Sequence, residues 1–264
     1  MATAAPLTSA QNPLLKEIRR AASKGTLTAD GYLVAESFHL LEEALRSDCF
    51  VKSVLVASSV RAAVESHVRG LRRIRVIPVA DPLFRMISTT ENSQGVIALV
   101  RPPHWTLDQL FRGNSLVVVL DGIQDPGNAG NIVRSAEAFG ASGAIFLKGA
   151  ASPHHPKTLR ASAGSLFRLP VIHGMEPDLA RAALEQRRLD VYAAVPRGGK
   201  LLKDVDLTRR CALVVGSEGH GVSERLRSAA LDLRIPTVRV ESLNAAVAAA
   251  VVLYEAYRQR TLKG

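Results

Sequence analysis

SLVVVLDGIQDPGNAGNIVRSAEAFGASG, residues 115–143, joins an apolar run, a glycine-rich polar loop and a helical pattern. Residues 116–120 are all aliphatic, which is typical of a strand buried on both faces of a parallel sheet. A strand followed at once by a loop and a helix is the repeating unit of parallel α/β folds. The stretch therefore predicts a parallel-sheet α/β domain.

The same alternation continues to the end of the chain, where apolar runs separated by helical patterns predict further strands. The last pattern, residues 244–259, is alanine-rich and apolar through its first two turns, so we expect its first half to be buried. The predicted strands are residues 144–147, 171–173, 190–194, 212–215 and 233–235.

A smaller set of alternating patterns precedes this domain, between residues 13 and 100. Residues 101–115 contain two prolines and a mixed polar segment, which indicates a domain boundary. We therefore predict a small N-terminal α/β domain over residues 1–104 and the parallel-sheet domain over residues 113–264. The strands predicted in the first domain are residues 32–35, 51–57, 74–78 and 95–100.

The composition limits the function classes. A net charge of +10 favours a polyanionic partner such as RNA, although a generically basic protein is the alternative.

Cys49 and Cys211 show no metal-ligand spacing, so we expect free thiols and no metal site. The N-terminal segment lacks the pattern of a signal peptide, and the longest apolar run, residues 245–253, is too short to span a bilayer. We expect a cytoplasmic protein without a membrane partner.

Three loops that leave predicted strands carry the candidate chemistry, because parallel α/β sheets bind ligands at the carboxyl ends of their strands. The first contains Asn128 and opens the helix that carries Arg134, where free backbone amides attract phosphate. The second, VVGSEGHGVS at residues 214–223, places glycines directly after a strand, where the backbone can approach a ligand closely. The third places Ser242 and Asn244 before the last helix as capping and hydrogen-bonding groups.

Each loop also has an ordinary structural explanation. Glycine-rich loops between strands and helices are often only tight turns, and the GxGxxG and GxxxxGK[ST] fingerprints of nucleotide sites are absent from them. Ser242 and Asn244 fit simple helix caps, and Glu218 fits a surface carboxylate beside a helix. Taken one loop at a time, the residues leave these alternatives open.

Together, in order and approximate spacing, the three loops resemble the motifs of the SpoU (TrmH-like) family of RNA 2′-O-ribose methyltransferases. The three motifs correspond to residues 128–140, 216–221 and 235–244. PKTLRASAGSLFRLPV at residues 156–171 is similar to another family segment, and the N-terminal part is similar to the substrate-binding domain that these enzymes often carry. The resemblance thus covers almost the whole chain.

The resemblance implies a C-terminal trefoil knot, S-adenosylmethionine bound in the knotted loops, a homodimer formed through the C-terminal domain, and no metal. It also implies that Arg134 takes part in removing the proton of the ribose hydroxyl. Because a guanidinium is a very weak base, binding and orienting a substrate phosphate is the role that we expect for it. The implied active-site residues are Arg134, Asn128, Glu218, Ser242 and Asn244, and the implied cofactor contacts are Gly216, Ile235 and Leu243.

The third motif departs from the family pattern. Methionine and glycine usually follow its Ile-Pro pair, whereas residues 237–239 read TVR here and the segment up to Ser242 is one residue short. Since the Ser-Leu-Asn sequence at residues 242–244 is intact, we interpret the change as a variation in the cofactor loop. A non-catalytic RNA-binding or ribosome-assembly protein on the same fold remains an alternative, and a nucleotide-utilising enzyme is a weaker one.

The substrate implied is structured RNA, and the added N-terminal domain favours large-subunit ribosomal RNA over transfer RNA. Basic side chains of the first domain and its aromatic rings are candidate RNA contacts. Solvated basic faces and core aromatics are the alternatives. The candidates are Lys16, Arg19, Arg20, Arg72, Arg73 and Arg75, the aromatic residues Tyr32, Phe38 and Trp105, and the loop histidines His154 and His155.

Overall fold

The computed structural model describes residues 5–68 and 74–262, except for the side chain of Leu262. Its contacts divide the chain into two compact units. The first comprises Met1–Pro103 and His154–Arg168, and the second comprises His104–Pro153 and Leu169–Gly264. The sequence did not predict that residues 154–168 pack with the first unit. The domain limits inferred from the sequence stay a prediction.

The first unit is built on a four-stranded sheet. Its elements are α1 (Pro13–Lys24), β1 (Leu33–Glu36), α2 (Phe38–Arg46), β2 (Val51–Ala57), α3 (Arg61–His67), β3 (Arg75–Val79), α4 (Asp81–Ile87) and β4 (Val96–Val100). In the order β1-β4-β2-β3, β4 is antiparallel to β1 and β2, and β3 is parallel to β2. The four predicted strands are confirmed to within one residue at each end.

A buried carboxylate at the end of β1 organises the loop before β4. Glu36 is 2% exposed, and its oxygens accept hydrogen bonds from the amide of Thr89 at 2.8 Å and from four nearby hydroxyl groups. Burial alone would raise the pKa of Glu36, but these donors outweigh burial and hold that pKa below its usual value. The hydroxyls belong to Ser88, Thr89, Thr90 and Ser93.

This cluster predicts a pH-dependent stability. Because the pKa of Glu36 is lower in the folded state, its contribution is present above the unfolded pKa near 4.5 and is lost as the pH falls through the folded pKa. We expect Glu36→Gln to lower the free energy of unfolding at neutral pH, with the deficit relative to the wild type shrinking as the pH falls below 4.5. Urea titrations of both proteins measure this deficit. A deficit that stayed constant down to about pH 3 would contradict the assignment.

The second unit contains a seven-stranded sheet in which every pair of neighbours is parallel. Its elements are α5 (Leu107–Leu110), β5 (Leu116–Asp121), α6 (Pro126–Ala138), β6 (Gly143–Leu147), β7 (Val171–Met175), α8 (Pro177–Gln186), β8 (Asp190–Ala194), β9 (Lys200–Leu201), β10 (Cys211–Gly216), α9 (Glu224–Arg227), β11 (Leu231–Arg234) and α10 (Ala245–Leu262). A further helix, α7 (Pro156–Ser162), lies in the first unit. The predicted parallel sheet is confirmed, and the knot stays a prediction.

The order of strands places a crevice in the middle of this sheet. The order is β7-β6-β5-β10-β8-β11-β9, so β10 lies between β5 and β8 although the chain reaches it later than either. From β5 the chain proceeds to β6 and β7 on one side, whereas β8, β11 and β9 lie on the other. Ligands of open parallel sheets bind at such a reversal, beyond the carboxyl ends of the strands. Here β5 leads through a short loop to Asn128 in the first turn of α6, and β10 leads into the loop containing Glu218.

The last helix is longer and less buried than the sequence predicted. α10 continues to Leu262, and it packs against α6 and β10. Ala245, Ala246 and Ala249 are buried, but Val247 is 50% exposed, so the expectation of a buried first half was wrong for one face. Only one side of the helix meets the rest of the unit. Within the described residues, no helix has the length and hydropathy needed to cross a bilayer.

The end of α10 is held by one arginine. The guanidinium of Arg260 donates to the carbonyl oxygens of Leu207 at 2.8 Å, Asn114 at 2.7 Å and Arg209 at 2.6 Å. Each of these carbonyls lies at the amino-terminal side of β5 or β10. Arg260 therefore fastens the C-terminal helix to the two central strands.

Removing this clamp should destabilise the protein. Arg260→Gln leaves several carbonyl groups without a charged donor, and we expect a loss of about 2 to 4 kcal/mol in the free energy of unfolding. Arg258→Gln on the same helix is the matched control, because Arg258 forms an exposed ion pair with Glu255, three residues earlier, at 2.7 Å. Its loss should cost under about 1 kcal/mol. Urea denaturation distinguishes the two. Equal losses would show that the clamp contributes no more than a surface ion pair.

Candidate active site

Three polar side chains from distant parts of the sequence meet beyond the carboxyl ends of β5 and β10. The side-chain amide of Asn128 donates to Glu218 Oε1 at 2.6 Å. The amide of Asn244 donates to Asn128 Oδ1 at 3.1 Å and to the same Glu218 oxygen at 3.3 Å. We call this group the Asn-Glu-Asn trio. It joins one residue from each of the three loops that the sequence singled out.

Local capping interactions position the two asparagines. Asp125 caps α6, and its carboxylate accepts a hydrogen bond from the backbone amide of Asn128 at 2.8 Å. The side-chain oxygen of Asn244 accepts from the backbone amides of Ala246 at 2.9 Å and Val247 at 3.3 Å. Asn244 is therefore both a helix cap and a member of the trio. Its oxygen serves the first role and its nitrogen the second.

An open pocket lies next to the trio, with Glu218 in its wall. The space within its walls and open mouth is about 700 Å³. Aliphatic side chains and backbone form most of the wall, and Glu218 and Glu241 add two carboxylates. Such a wall suits a ligand that combines an apolar or aromatic part with a positive charge. The lining residues include Gly216, Glu218, Ile235, Thr237, Ser242 and Leu243.

The backbone itself shapes one wall at Gly216. A Cβ atom there would lie 2.0 Å from the carbonyl carbon of Gly221 and 2.2 Å from the amide nitrogen of Val222, so only glycine fits. The same turn is held by Asp121, a buried carboxylate that accepts from the amide of Ser223 at 2.7 Å. The loop after β10 is therefore folded back tightly against its own strand.

The altered third motif still forms part of the pocket. Thr237 lines the pocket, and its hydroxyl donates to the carbonyl of Val240 at 2.7 Å, closing a short turn. Val238 is 95% exposed within that turn. Glu241 also lines the pocket and pairs with Arg197 at 2.7 Å. The shortened segment thus retains a defined conformation and a place in the wall.

The structure brings most of the predicted site residues together. Gly216, Ile235, Leu243, Glu218 and Ser242 line the pocket, and Asn128 and Asn244 reach it through Glu218. The exception is Arg134, which is exposed on α6 and has no hydrogen-bond or ion-pair partner among the described residues.

The candidate RNA contacts in the first unit have varied environments. Arg72 and Arg73 lie outside the described residues, and Arg75 is exposed at the start of β3. Tyr32 is 7% exposed, so its ring is largely core. His155 caps α7 by accepting from the amide of Lys157, a structural role that the sequence did not predict.

Sequence reasoning missed two parts of the site. Asp121 ends an apolar strand, and a carboxylate at the end of a buried strand is a signal that could have identified it. The end of β8 and the loop after it also line the pocket, through Ala194, Val195 and Pro196. These small apolar residues carry no chemical signal. Only the position of β8 beside β10 could have pointed to them.

Comparison with known proteins identifies the family. The model of the SpoU rRNA Methylase family matches residues 115–254, which contain the trio and the pocket. The model of the MRM3-like substrate binding domain matches residues 12–98. The two matches together cover most of the chain.

Individual relatives agree with the family match. The chain is 31% identical to RlmP of Bacillus subtilis (strain 168), a 23S rRNA (guanosine(2553)-2'-O)-methyltransferase, over 93% of this chain and 96% of that protein. It is 35% identical to a 23S rRNA (uridine(2479)-2'-O)-methyltransferase of Streptomyces viridochromogenes, over 73% of this chain and 70% of that protein.

A solved structure is also similar. The SpoU methyltransferase AviRb from Streptomyces viridochromogenes, in complex with AdoMet, has a TM-score of 0.85 and 30% identity, covering 95% of this chain and 99% of that one. The sequence relatives are catalytic methyltransferases, so the alternative of a non-catalytic protein is set aside. The chain belongs to the SpoU family and is an S-adenosylmethionine-dependent RNA 2′-O-ribose methyltransferase.

Proposed function

We propose that this enzyme methylates a ribose 2′-hydroxyl in large-subunit ribosomal RNA. The observation that carries the proposal is that RlmP, similar to this chain along nearly the whole length of both, is named for 23S rRNA. The net charge of +10 and the region similar to a substrate-binding domain suit a large folded RNA.

The pocket holds the cofactor in this proposal. S-adenosylmethionine supplies an electrophilic methyl group when it is bound. The backbone at Gly216, Ile235 and Leu243 would hold the cofactor, because these residues line the pocket and Gly216 has no side chain to keep a ligand away. Glu218 and Glu241 line the pocket, and their carboxylates suit the positive charge of S-adenosylmethionine.

The trio and Arg134 orient the RNA. A ribose hydroxyl is a poor nucleophile at neutral pH, so aligning it and assisting the loss of its proton are what the enzyme must contribute. Asn128 and Asn244 hold Glu218 Oε1, and Ser242 lies exposed in the pocket wall. Arg134, free of internal partners among the described residues, binds an RNA phosphate through its fork of donors.

The substrate is tested by methyl transfer. Purified enzyme with methyl-labelled S-adenosylmethionine should label large-subunit ribosomal RNA, and mass spectrometry of that RNA from a deletion strain should show one missing 2′-O-methyl group. Transfer RNA is the matched control substrate. Labelling of transfer RNA alone would replace the proposed substrate, and labelling of neither would overturn it.

We propose that the active form is a homodimer associated through the second unit. Val247, Val251 and Tyr254 form an exposed stripe along α10 at helical spacing, with exposures of 50%, 37% and 52%. Phe139 packs against the Tyr254 ring at 5.6 Å and extends the apolar surface to the end of α6. A second copy of this chain would cover the stripe, because apolar faces are typical of permanent dimer interfaces.

The dimer predicts a specific disruption. Val251→Glu places a charge in the stripe, and we expect it to convert a dimer into a monomer by light scattering after size exclusion. Leu179→Glu is the control, because Leu179 is 63% exposed and lies on α8, which packs against α9 and β6. A monomeric wild type, or a dimer that tolerates Val251→Glu, would contradict this interface.

A further inference from the structure

Four side chains that the site does not use gather at one end of the small sheet. Because β4 runs antiparallel to β1 and β2, its end meets the beginnings of both. Tyr32 precedes β1, Phe50 precedes β2 and Arg101 follows β4, and the amide of Arg101 donates to the carbonyl of Phe50 at 2.9 Å. Lys52 is the one exposed residue within β2. The topology therefore gathers two aromatic rings and two cations.

The rings and cations are stacked. The guanidinium carbon of Arg101 lies 4.9 Å from the centre of the Phe50 ring and 5.6 Å from that of Tyr32. Arg101 also donates to the hydroxyl of Tyr32 at 3.2 Å, and Lys52 Nζ lies 4.7 Å from the centre of the Tyr32 ring. Tyr32 is buried and fixes the arrangement, whereas Phe50 is 54% exposed. A large part of the Phe50 ring thus faces solvent beside a held guanidinium.

The cluster is positively charged. Lys52 pairs with Asp30 at 2.7 Å, so the two cations of the cluster are accompanied by one carboxylate, which pairs with Lys52. Among the described residues Arg101 has no carboxylate partner, and its contact with Tyr32 uses one of five donors. An anionic ligand with a flat ring complements an exposed phenyl group next to unused guanidinium donors.

We propose that Phe50 and Arg101 form a nucleotide-binding platform for an unpaired nucleotide of the RNA substrate. The base stacks on the exposed part of Phe50, and Arg101 binds the adjoining phosphate. Stacking on aromatic side chains beside basic groups is how proteins hold single-stranded RNA. The platform deepens the proposed function and rests on it for the identity of the RNA.

The test compares two variants with two matched controls. Phe50→Leu keeps an apolar side chain but removes the ring, and Arg101→Gln removes the charge. Met86→Leu and Arg85→Gln on α4 are the controls, since Met86 is 52% exposed and Arg85 is exposed in the same unit. The probes are transcribed large-subunit ribosomal RNA and a decamer of uridine, with binding followed by fluorescence anisotropy and methyl transfer by label.

We expect Phe50→Leu to weaken binding of both RNAs by about tenfold and to raise KM more than it lowers kcat. Arg101→Gln should also reduce the dependence of binding on salt by about one charge. Binding of S-adenosylmethionine should not change. The controls should match the wild type in RNA affinity, in the salt dependence of that affinity, in the kinetics of methyl transfer and in cofactor binding.

The outcomes separate the platform from the proposed function. If the wild type methylates ribosomal RNA and neither variant changes Kd or KM, the platform is wrong and the function stands. Methyl transfer to ribosomal particles is measured alongside the naked RNA. If the variants lose activity only on the particles, the patch binds a protein and the platform is again wrong. Should Phe50→Leu fail to fold, crosslinking of wild-type enzyme to 4-thiouridine RNA decides, and no crosslink to the peptide containing Phe50 overturns the proposal.

Discussion

Gly216→Ala is expected to lose S-adenosylmethionine binding by about ten- to a hundredfold, and methyl transfer with it. The added Cβ would meet backbone atoms of Gly221 and Val222 at 2.0 to 2.2 Å, far inside any tolerated contact. Backbone cannot rotate away as a flexible side chain does, so the turn after β10 must move and the pocket wall moves with it. Calorimetric titration with the cofactor measures the effect.

The same loop supplies a stringent control. A Cβ at Gly219 would meet nothing within 4 Å, so Gly219→Ala makes the same chemical change without the collision. We expect it to bind the cofactor nearly as the wild type does. If Gly216→Ala bound equally well, the close approach at Gly216 would have no part in forming the site, and the proposed backbone contact with the cofactor would have to be abandoned.

Arg134→Ala is expected to reduce methyl transfer by about a hundredfold or more while leaving cofactor binding within about twofold of the wild type. Arg134 is exposed and has no internal partner among the described residues, so removing it sacrifices no packing or ion pair in the folded chain. A large kinetic effect would therefore come from lost contacts with RNA. Single-turnover rates with saturating cofactor measure it.

Two further variants separate charge from geometry at this position. Arg134→Lys keeps the charge without the planar fork, and we expect an intermediate rate. Arg112→Ala removes another exposed arginine of the second unit that has no partner among the described residues. It should leave the rate unchanged. Loss of activity in both alanine variants would indicate a general effect of positive charge, and unchanged activity in Arg134→Ala would remove Arg134 from the mechanism.

The fold was predictable wherever the hydrophobic pattern was long and regular. β5 and β8 were predicted within one residue, and for β5 the reason is an aliphatic run bounded by polar residues. β9 has two residues, too few to leave a pattern. The exposed face of α10 was also missed, because alanine and valine fill both of its sides and their hydrophobicity does not distinguish the buried side from the free one.

The site was predictable in its polar residues and not in its contacts. Asn128, Glu218 and Asn244 were found through motifs, but their mutual hydrogen bonds depend on β10 lying beside β5, which no local pattern encodes. The part of the pocket wall that β8 contributes likewise depends on a pairing of strands, in which β8 lies beside β10. The exposed, stacked ring of Phe50 depends on the antiparallel pairing of β4 with β2. Pairings between distant strands are what the sequence leaves undetermined.

α10 begins at the trio with Asn244 as its cap and is fastened near its other end by Arg260, about 24 Å away along the helix axis. A helix held at both ends opens as a unit, so the active site and the C-terminal clamp should share one opening free energy. We expect amides near Arg260 to exchange slowly, because their opening would also break the trio. If S-adenosylmethionine binds beside Asn244 as proposed, it should protect amides along the whole helix, including those far from the proposed pocket.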